Sequence, residues 1–330
     1  MPEITKERLR DMEDSWNFET SDPTTQEWRD DLTPEEAKIV ADWDGIYTSG
    51  LRAITRDIMK TIAFMNFKGG VGKTITTATV AYILAQRYGK HLLLIDADSQ
   101  GNLSQYIGVP AEEGNSTLEL LESGAGYYPD FVTPSKYPNI DIIPAGLSLI
   151  SADIDAFRLG RCNQQSIADL RDAIEDDASS PARRPEDPPA YDALLIDCPP
   201  AMTAACAAAL TAADEVIIPV RIDAFSTGGM SELMAQLANM RRINDRLRLR
   251  GVLVTQFTRT REERDTLEYL RGRKDMPVFR TVIRYSTRVG AATFAQQPLM
   301  EYSPTCAASI DYKKFVEELE GGKKHGKAKG

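Results

Sequence analysis

Histidine is nearly absent: His91 and His325 are the only two in 330 residues, too few for a histidine-based metal centre. The four cysteines, Cys162, Cys198, Cys206 and Cys306, are scattered with no C-x-x-C pair, which argues against a zinc site and against a disulfide framework. No apolar run approaches the roughly 20 residues needed to cross a bilayer. The opening residues, MPEITKERLRDMEDSW, are charged and lack the apolar core of a secretory signal. There is no internal repeat. These absences predict a reduced, cytoplasmic protein, and 330 residues suffice for one large domain or two small ones.

What is present is unevenly distributed. The net charge is −10, yet residues 241–288 hold 14 arginines and lysines against 6 acids, while residues 1–60 hold 15 acids against 8 bases. An acidic total therefore does not exclude nucleic acid as a partner. Residues 1–32 are polar and aperiodic and are expected to be disordered or loosely attached. A helix is expected over 33–60: Thr33 can cap it, Pro34 suits its first turn and Glu36 completes a capping box. Val40, Trp43, Tyr47, Leu51, Ile54 and Ile58 follow a three-four spacing, although Gly45 and Gly50 weaken the helix.

From residue 61 the rhythm changes. TIAFMNF, HLLLIDAD, NIDIIPAG, YDALLIDCPP, EVIIPV, RGVLVTQF and VFRTVI read as short buried strands separated by helical stretches, the first of them TITTATVAYILAQRY, ended by Gly89. Continuous apolar runs alternating with helices predict an α/β fold, a mostly parallel twisted sheet with helices on both faces. The Pro-rich stretch 176–190 reads as a surface loop within that domain. The expected organisation is an extension over 1–60, one domain over 61–320 and a flexible basic tail over 321–330.

The stretch NFKGGVGKT, Asn66 to Thr74, follows the first strand and opens a helix. Such a turn aims several backbone N–H groups at a phosphate. Lys73 would supply a point charge to the β and γ phosphates and Thr74 a hydroxyl to Mg²⁺. The pattern G-x-x-x-x-G-K-[ST] requires a glycine where Phe67 stands, and a second lysine, Lys68, appears instead. Asp96 and Asp98, two apart at a strand end, share a face if strand geometry persists. Asp96 could alternatively cap the next turn. Asp197 closes another apolar strand, where a carboxylate can hold Mg²⁺ through water.

Lys68 to Thr74 matches K-G-G-x-G-K-T, and the stretch resembles the deviant phosphate loop of the ParA/MinD class of ATPases. LLLIDADSQGNLS is similar to the first switch of that class, YDALLIDCPP to its Walker B strand and second switch, and NIDIIPAGLSL and PLMEYSPTCAASIDY to further ParA segments. The likeness spans about residues 61–320. It implies ATP and Mg²⁺ as ligands, with nucleotide contacts from Lys68, Gly69, Gly70, Val71, Gly72, Lys73, Thr74 and Ile75. It implies catalytic roles for Lys73, for Asp98 in positioning water, and for Lys68 in reaching across a dimer to the other subunit's phosphates. Thr74, Asp96 and Asp197 would form the magnesium network. The adenine would lie near Thr255, Gln256, Phe257 and Pro298, with Gln256 and Pro298 as contacts.

Two residues depart from the pattern. Ser99 replaces the usual proline of the first switch, and Ala208 stands where an asparagine is usual. Cys198 invites comparison with the iron–sulfur relatives of the class, but no second cysteine has their spacing, so a buried structural thiol is expected. In the basic region, the resemblance implies DNA-binding arginines, Arg284 and Arg288 foremost. The implied function is a partitioning ATPase: an ATP-driven homodimer on non-specific double-stranded DNA, nucleoid-associated, stimulated by a ParB-like centromere-binding protein. Two alternatives stand beside it. One is a MinD-like membrane-positioning ATPase, for which the residues after Tyr312 offer too little apolar surface. The other is a nucleotide-binding regulator with little turnover.

Overall fold

The computed structural model describes residues 59–112, 114–159, 163–180, 190–223, 226–273 and 276–321. The helix expected over 33–60 lies outside them up to residue 58, as do the segment 1–32 and the tail from 322. The described chain runs β1 (Lys60–Phe64), α1 (Lys73–Tyr88), β2 (Leu92–Asp96), α2 (Asn102–Ile107), α3 (Thr117–Ser123), β3 (Thr133–Pro134), β4 (Ile140–Ile143), α4 (Ile150–Leu159), α5 (Ser166–Ser179) and β5 (Ala193–Asp197). It continues through α6 (Ala204–Ala212), β6 (Glu215–Arg221), α7 (Ser226–Met240), β7 (Arg248–Thr255), α8 (Arg261–Gly272), α9 (Thr287–Phe294), α10 (Leu299–Tyr302) and α11 (Ala307–Leu319).

The strands form one sheet in the order β3-β4-β2-β5-β1-β6-β7. Every pairing is parallel except the short edge contact of β3 with β4. β2 and β5 are buried at every position, as their unbroken apolar runs require of strands covered on both faces. The helices pack in two groups: α1 with α2, α10 and α11, and α6 with α4, α5 and α7. Phe64, Leu84, Leu94, Leu195 and Phe315 meet in the core, where full burial of each such side chain contributes about 1.5–3 kcal/mol.

Two expectations change. VFRTVI is not a regular strand: it meets β7 through an isolated bridge, Val252 to Val278, and through the Phe279 and Ile283 amides, which donate to the Val252 and Val254 carbonyls at 3.0 and 2.8 Å. Gly251, at φ 157°, lies under the Phe279 ring, and a Cβ there would come within 2.9 Å of it. Between residues 279 and 283 the Arg280 and Thr281 amides donate to the Glu318 carboxylate at 2.8 and 2.9 Å, which takes the segment off the ladder. The segment read as a loop from residue 176 begins as helix, because α5 runs on to Ser179.

Candidate nucleotide site

β1 and β5 end side by side, with Phe64 opposite Asp197, and β2 ends beside β5, with Asp96 opposite Asp197. In a parallel sheet all these carboxyl ends lie on one edge, and that edge is where an α/β fold binds its ligand. The loop leaving β1 enters α1 through Gly72, in the left-handed conformation at φ 87°, which a side chain would strain. Gly70 shares this geometry at φ 72°. The loop is bolted from behind. Thr255 Oγ1 donates to the Val71 carbonyl at 2.7 Å, and Gln256 Nε2 donates to the Gly70 carbonyl at 2.6 Å.

Lys73 is buried, and burial lowers its pKa against the opposing pull of Asp197. Its Nζ donates to the carbonyls of Asn66 at 3.0 Å and Lys68 at 3.2 Å. An ammonium held by two carbonyls inside a phosphate-sized turn is poised to exchange them for anionic oxygens. Asp197 is fully buried, and neither of its carboxylate oxygens has a hydrogen-bond partner. Burial raises its pKa well above the ordinary value, and the neighbouring Asp96 raises it further. The Thr74 hydroxyl and the Lys73 ammonium stand close enough to oppose that rise, although the hydroxyl does not reach hydrogen-bonding geometry. Two orphaned carboxylate oxygens beside a hydroxyl suit a hard divalent cation with oxygen ligands.

Asp96 is equally buried but fully engaged. Its Oδ1 accepts from the Asp98 amide at 3.1 Å, and its Oδ2 accepts from the Ser104 amide at 2.9 Å and the Ser104 hydroxyl at 2.7 Å. Burial still raises its pKa to about 6, against those hydrogen bonds. These bonds hold the first switch in shape, and Oδ1, with one donor, keeps acceptor capacity toward the edge that Asp197 shares. Asp98 is buried within this switch, and its Oδ1 accepts from the Gln100 amide at 3.0 Å. The switch then crosses Ala145: a Cβ on Gly101, at φ 62°, would sit 2.5 Å from the Ala145 carbonyl oxygen. Only glycine permits that approach.

The remaining expected residues are placed as follows. Lys68 lies at the loop entrance, its amide donating to Asn66 Oδ1 at 2.9 Å and its ammonium ion-paired with Asp223. Gln256 is committed to the phosphate loop through its amide nitrogen. Pro298 is buried at the start of α10, which packs on α1. Cys198 is fully buried, and its hydrogen bond with Cys206, aided by burial, lifts its pKa well above the ordinary thiol value. Ala208 is fully buried in α6.

The basic region combines exposed arginines, Arg242, Arg259, Arg261, Arg264 and Arg271 among them, with arginines held in ion pairs. Arg284 is held: its Nε lies 2.6 Å from Asp311 Oδ2, its Nη2 2.8 Å from Asp311 Oδ1, and its backbone amide donates to the same carboxylate. This bidentate pair clamps residue 284 to α11. Arg246 pairs with Asp214 at 2.7 Å, and Arg280 lies 3.7 Å from Glu318. Arg288 differs, being exposed at the start of α9 with its backbone amide on Ser286.

Sequence reasoning missed Asn66, Ser104 and Asp223, and it named Thr255 for the adenine's surroundings, not for its bond to the phosphate loop. Asp223 carried a visible signal: it follows the apolar run EVIIPV at the same edge as the aspartates that follow LLLI and ALLI.

A family model described as an AAA domain matches residues 59–249. The chromosome partitioning protein ParA of Caulobacter vibrioides is 33 % identical over 263 residues, covering 79 % of this chain and 94 % of that protein. A point variant of Cyanothece McdA in complex with ATP superposes with a TM-score of 0.65 at 22 % identity, covering 80 % and 96 % of the two chains. A Mycobacterium smegmatis cobyrinic acid a,c-diamide synthase with bound ATP analogue and magnesium superposes at 0.63 with 23 % identity, covering 81 % and 98 %. With the deviant loop, the aspartate pair of the first switch and Asp197 assembled on one sheet edge, and with this identity over most of the chain, the protein belongs to the ParA family of P-loop partitioning ATPases.

Proposed function

We propose that this chain is an ATP- and Mg²⁺-dependent partitioning ATPase that dimerises on ATP, coats duplex DNA without sequence preference and is stimulated by a ParB-like centromere-binding partner. Asp197 carries the reading: a fully buried carboxylate with two unpartnered oxygens beside Thr74 and Lys73 is costly unless a cation completes it. Thr74 and Asp197 would hold Mg²⁺, and the metal supplies charge neutralisation at the phosphates. Lys73 trades its two carbonyls for phosphate oxygens. The backbone amides of residues 69–75 orient the phosphate chain. Asp98, fixed by its place in the first switch, aligns the attacking water and accepts its proton. Lys68 adds positive charge at the phosphates of the other subunit.

The working unit is the domain over 61–320, with the acidic extension 1–60 and the tail 321–330 outside it. Turnover is slow until the partner engages, and the protein resides on the nucleoid. Arg288, rather than Arg284, is the DNA contact, because it is exposed and its side chain enters no ion pair among the described residues. The membrane-positioning alternative is disfavoured by α11, whose Phe315, Val316 and Leu319 are buried and so spent on the core. A regulator with little turnover keeps support from Ser99 and the buried Ala208.

The test is a salt titration of binding to random-sequence duplex with ATP, ADP and no nucleotide, alongside phosphate release with DNA or liposomes. Binding that needs ATP and falls steeply with salt is expected, since each phosphate neutralised releases counterions. Nucleotide-independent binding, or none at low salt, would overturn the DNA reading. Absence of phosphate release under all conditions would favour the regulator.

A further inference from the structure

Lys68 does not project freely from the phosphate loop. Its ammonium is ion-paired with Asp223, and the two side chains are 40 % and 32 % exposed. The pairing follows from the topology. β6 lies beside β1, so the chain leaving β6 at Arg221 runs along the same edge as the chain leaving β1, and Asp223 is two residues on. Asn66 stitches the two together: its Nδ2 donates to the Pro219 carbonyl on β6 at 2.8 Å, and its Oδ1 receives the Lys68 amide at 2.9 Å. The Lys68 backbone is thereby tied to β6, and its side chain meets the carboxylate that β6 presents. Lys73 completes the arrangement, since its Nζ donates to the Lys68 carbonyl at 3.2 Å.

We propose that Asp223 is a positioning residue that keeps Lys68 inside its own subunit until a second, nucleotide-loaded copy draws it away. The inference rests on Lys68 acting in trans. An ammonium neutralised by its own subunit's carboxylate cannot deliver its charge to another subunit's phosphates. Each dimer therefore forms at the cost of two such pairs. Nucleotide prepares the release, because phosphate draws Lys73 off the Lys68 carbonyl and frees the loop that carries Lys68. The pair is half exposed, so the restraint is weak and reversible, which suits a switch that must open on every cycle.

Asp223→Asn, and Asp223→Ser as a second removal, test the restraint; Asp223→Glu retains the charge. ATP-driven dimerisation is followed by light scattering across protein concentration, with monomer affinity for a fluorescent ATP analogue and thermal unfolding measured in parallel. Loss of two exposed ion pairs should tighten dimerisation about two- to thirtyfold, with monomer nucleotide affinity no weaker than wild type and the Glu variant like wild type. In a Lys68→Ala background, Asp223→Asn should have no further effect. Dimerisation at unchanged or higher concentration in both removal variants, or a shift that persists without Lys68, overturns the proposal. The underlying reading fails separately: Lys68→Ala would then hydrolyse ATP like wild type, alone and in mixtures with a Lys73→Ala subunit.

Discussion

Asp197→Asn should stabilise the nucleotide-free protein while removing its response to magnesium and ATP. The substitution keeps the shape and deletes a charge that is fully buried, has no hydrogen-bond partner and faces Asp96 across the β2–β5 pairing. The sign follows from linkage. Burial raises the folded-state pKa above the ordinary 3.8, so the folded protein keeps a proton that the unfolded chain has lost. Stability is fully present below the unfolded value and falls as pH rises toward the folded one. The carboxylate costs most at neutral pH and above, and nothing at low pH. One pKa unit corresponds to about 1.4 kcal/mol, and loss of the attraction to Lys73 offsets part of the gain, so we expect about 1–3 kcal/mol at pH 7. For a domain of this size that is a rise in Tm of roughly 2–10 °C. Thermal unfolding from pH 4.5 to 8, with and without Mg²⁺ and ATP, is the assay. The gap between variant and wild type should close as pH falls, and added Mg²⁺ and ATP should raise Tm for the wild type alone. A destabilised variant that still responds to Mg²⁺ and ATP would refute the reasoning.

Lys73→Ala should abolish ATP binding, because it removes the buried cation of the loop; unchanged affinity for a fluorescent ATP analogue would place the site elsewhere. Gly101→Ala forces a left-handed residue against the Ala145 carbonyl at 2.5 Å. It should cost about 2–4 kcal/mol by thermal unfolding and depress turnover more than nucleotide affinity. Arg284→Ala leaves the buried Asp311 carboxylate without its guanidinium and should cost about 1–3 kcal/mol with the DNA salt slope unchanged. Arg288→Ala should do the reverse, lowering the salt slope with no change in Tm.

The phosphate loop, the two switches and six of the seven strands proposed from the sequence could be read there because their causes are local. An apolar run, a glycine turn and a capped helix are encoded within about twenty residues. What could not be read depends on residues far apart in the chain. Nothing near Arg284 announces that Asp311, 27 residues on, will neutralise it, nor does the loop show that Lys68 meets Asp223, 155 residues away. A run of charge therefore gave no sign of which arginines the fold pairs and which it leaves exposed. The strand expected at VFRTVI failed for a related reason. Its apolar composition suited a sheet, but the Arg280 and Thr281 amides donate to the Glu318 carboxylate of α11 and not to β7, which the sequence does not disclose. Asp96 read as cap or metal ligand, and its bonds to Ser104, eight residues on, could not be seen in the sequence.

The central claim is that nucleotide at this edge of the sheet drives two chains together and that Asp98 ends the state by hydrolysis. The most direct measurement is the mass of Asp98→Ala in solution by light scattering with ATP, ADP and no nucleotide, all with Mg²⁺. The account predicts a persistent dimer with ATP and a monomer otherwise, because the substitution spares Lys73, Thr74 and Asp197 while removing the carboxylate that aligns water. A monomer under all three conditions, with wild-type turnover, would contradict it.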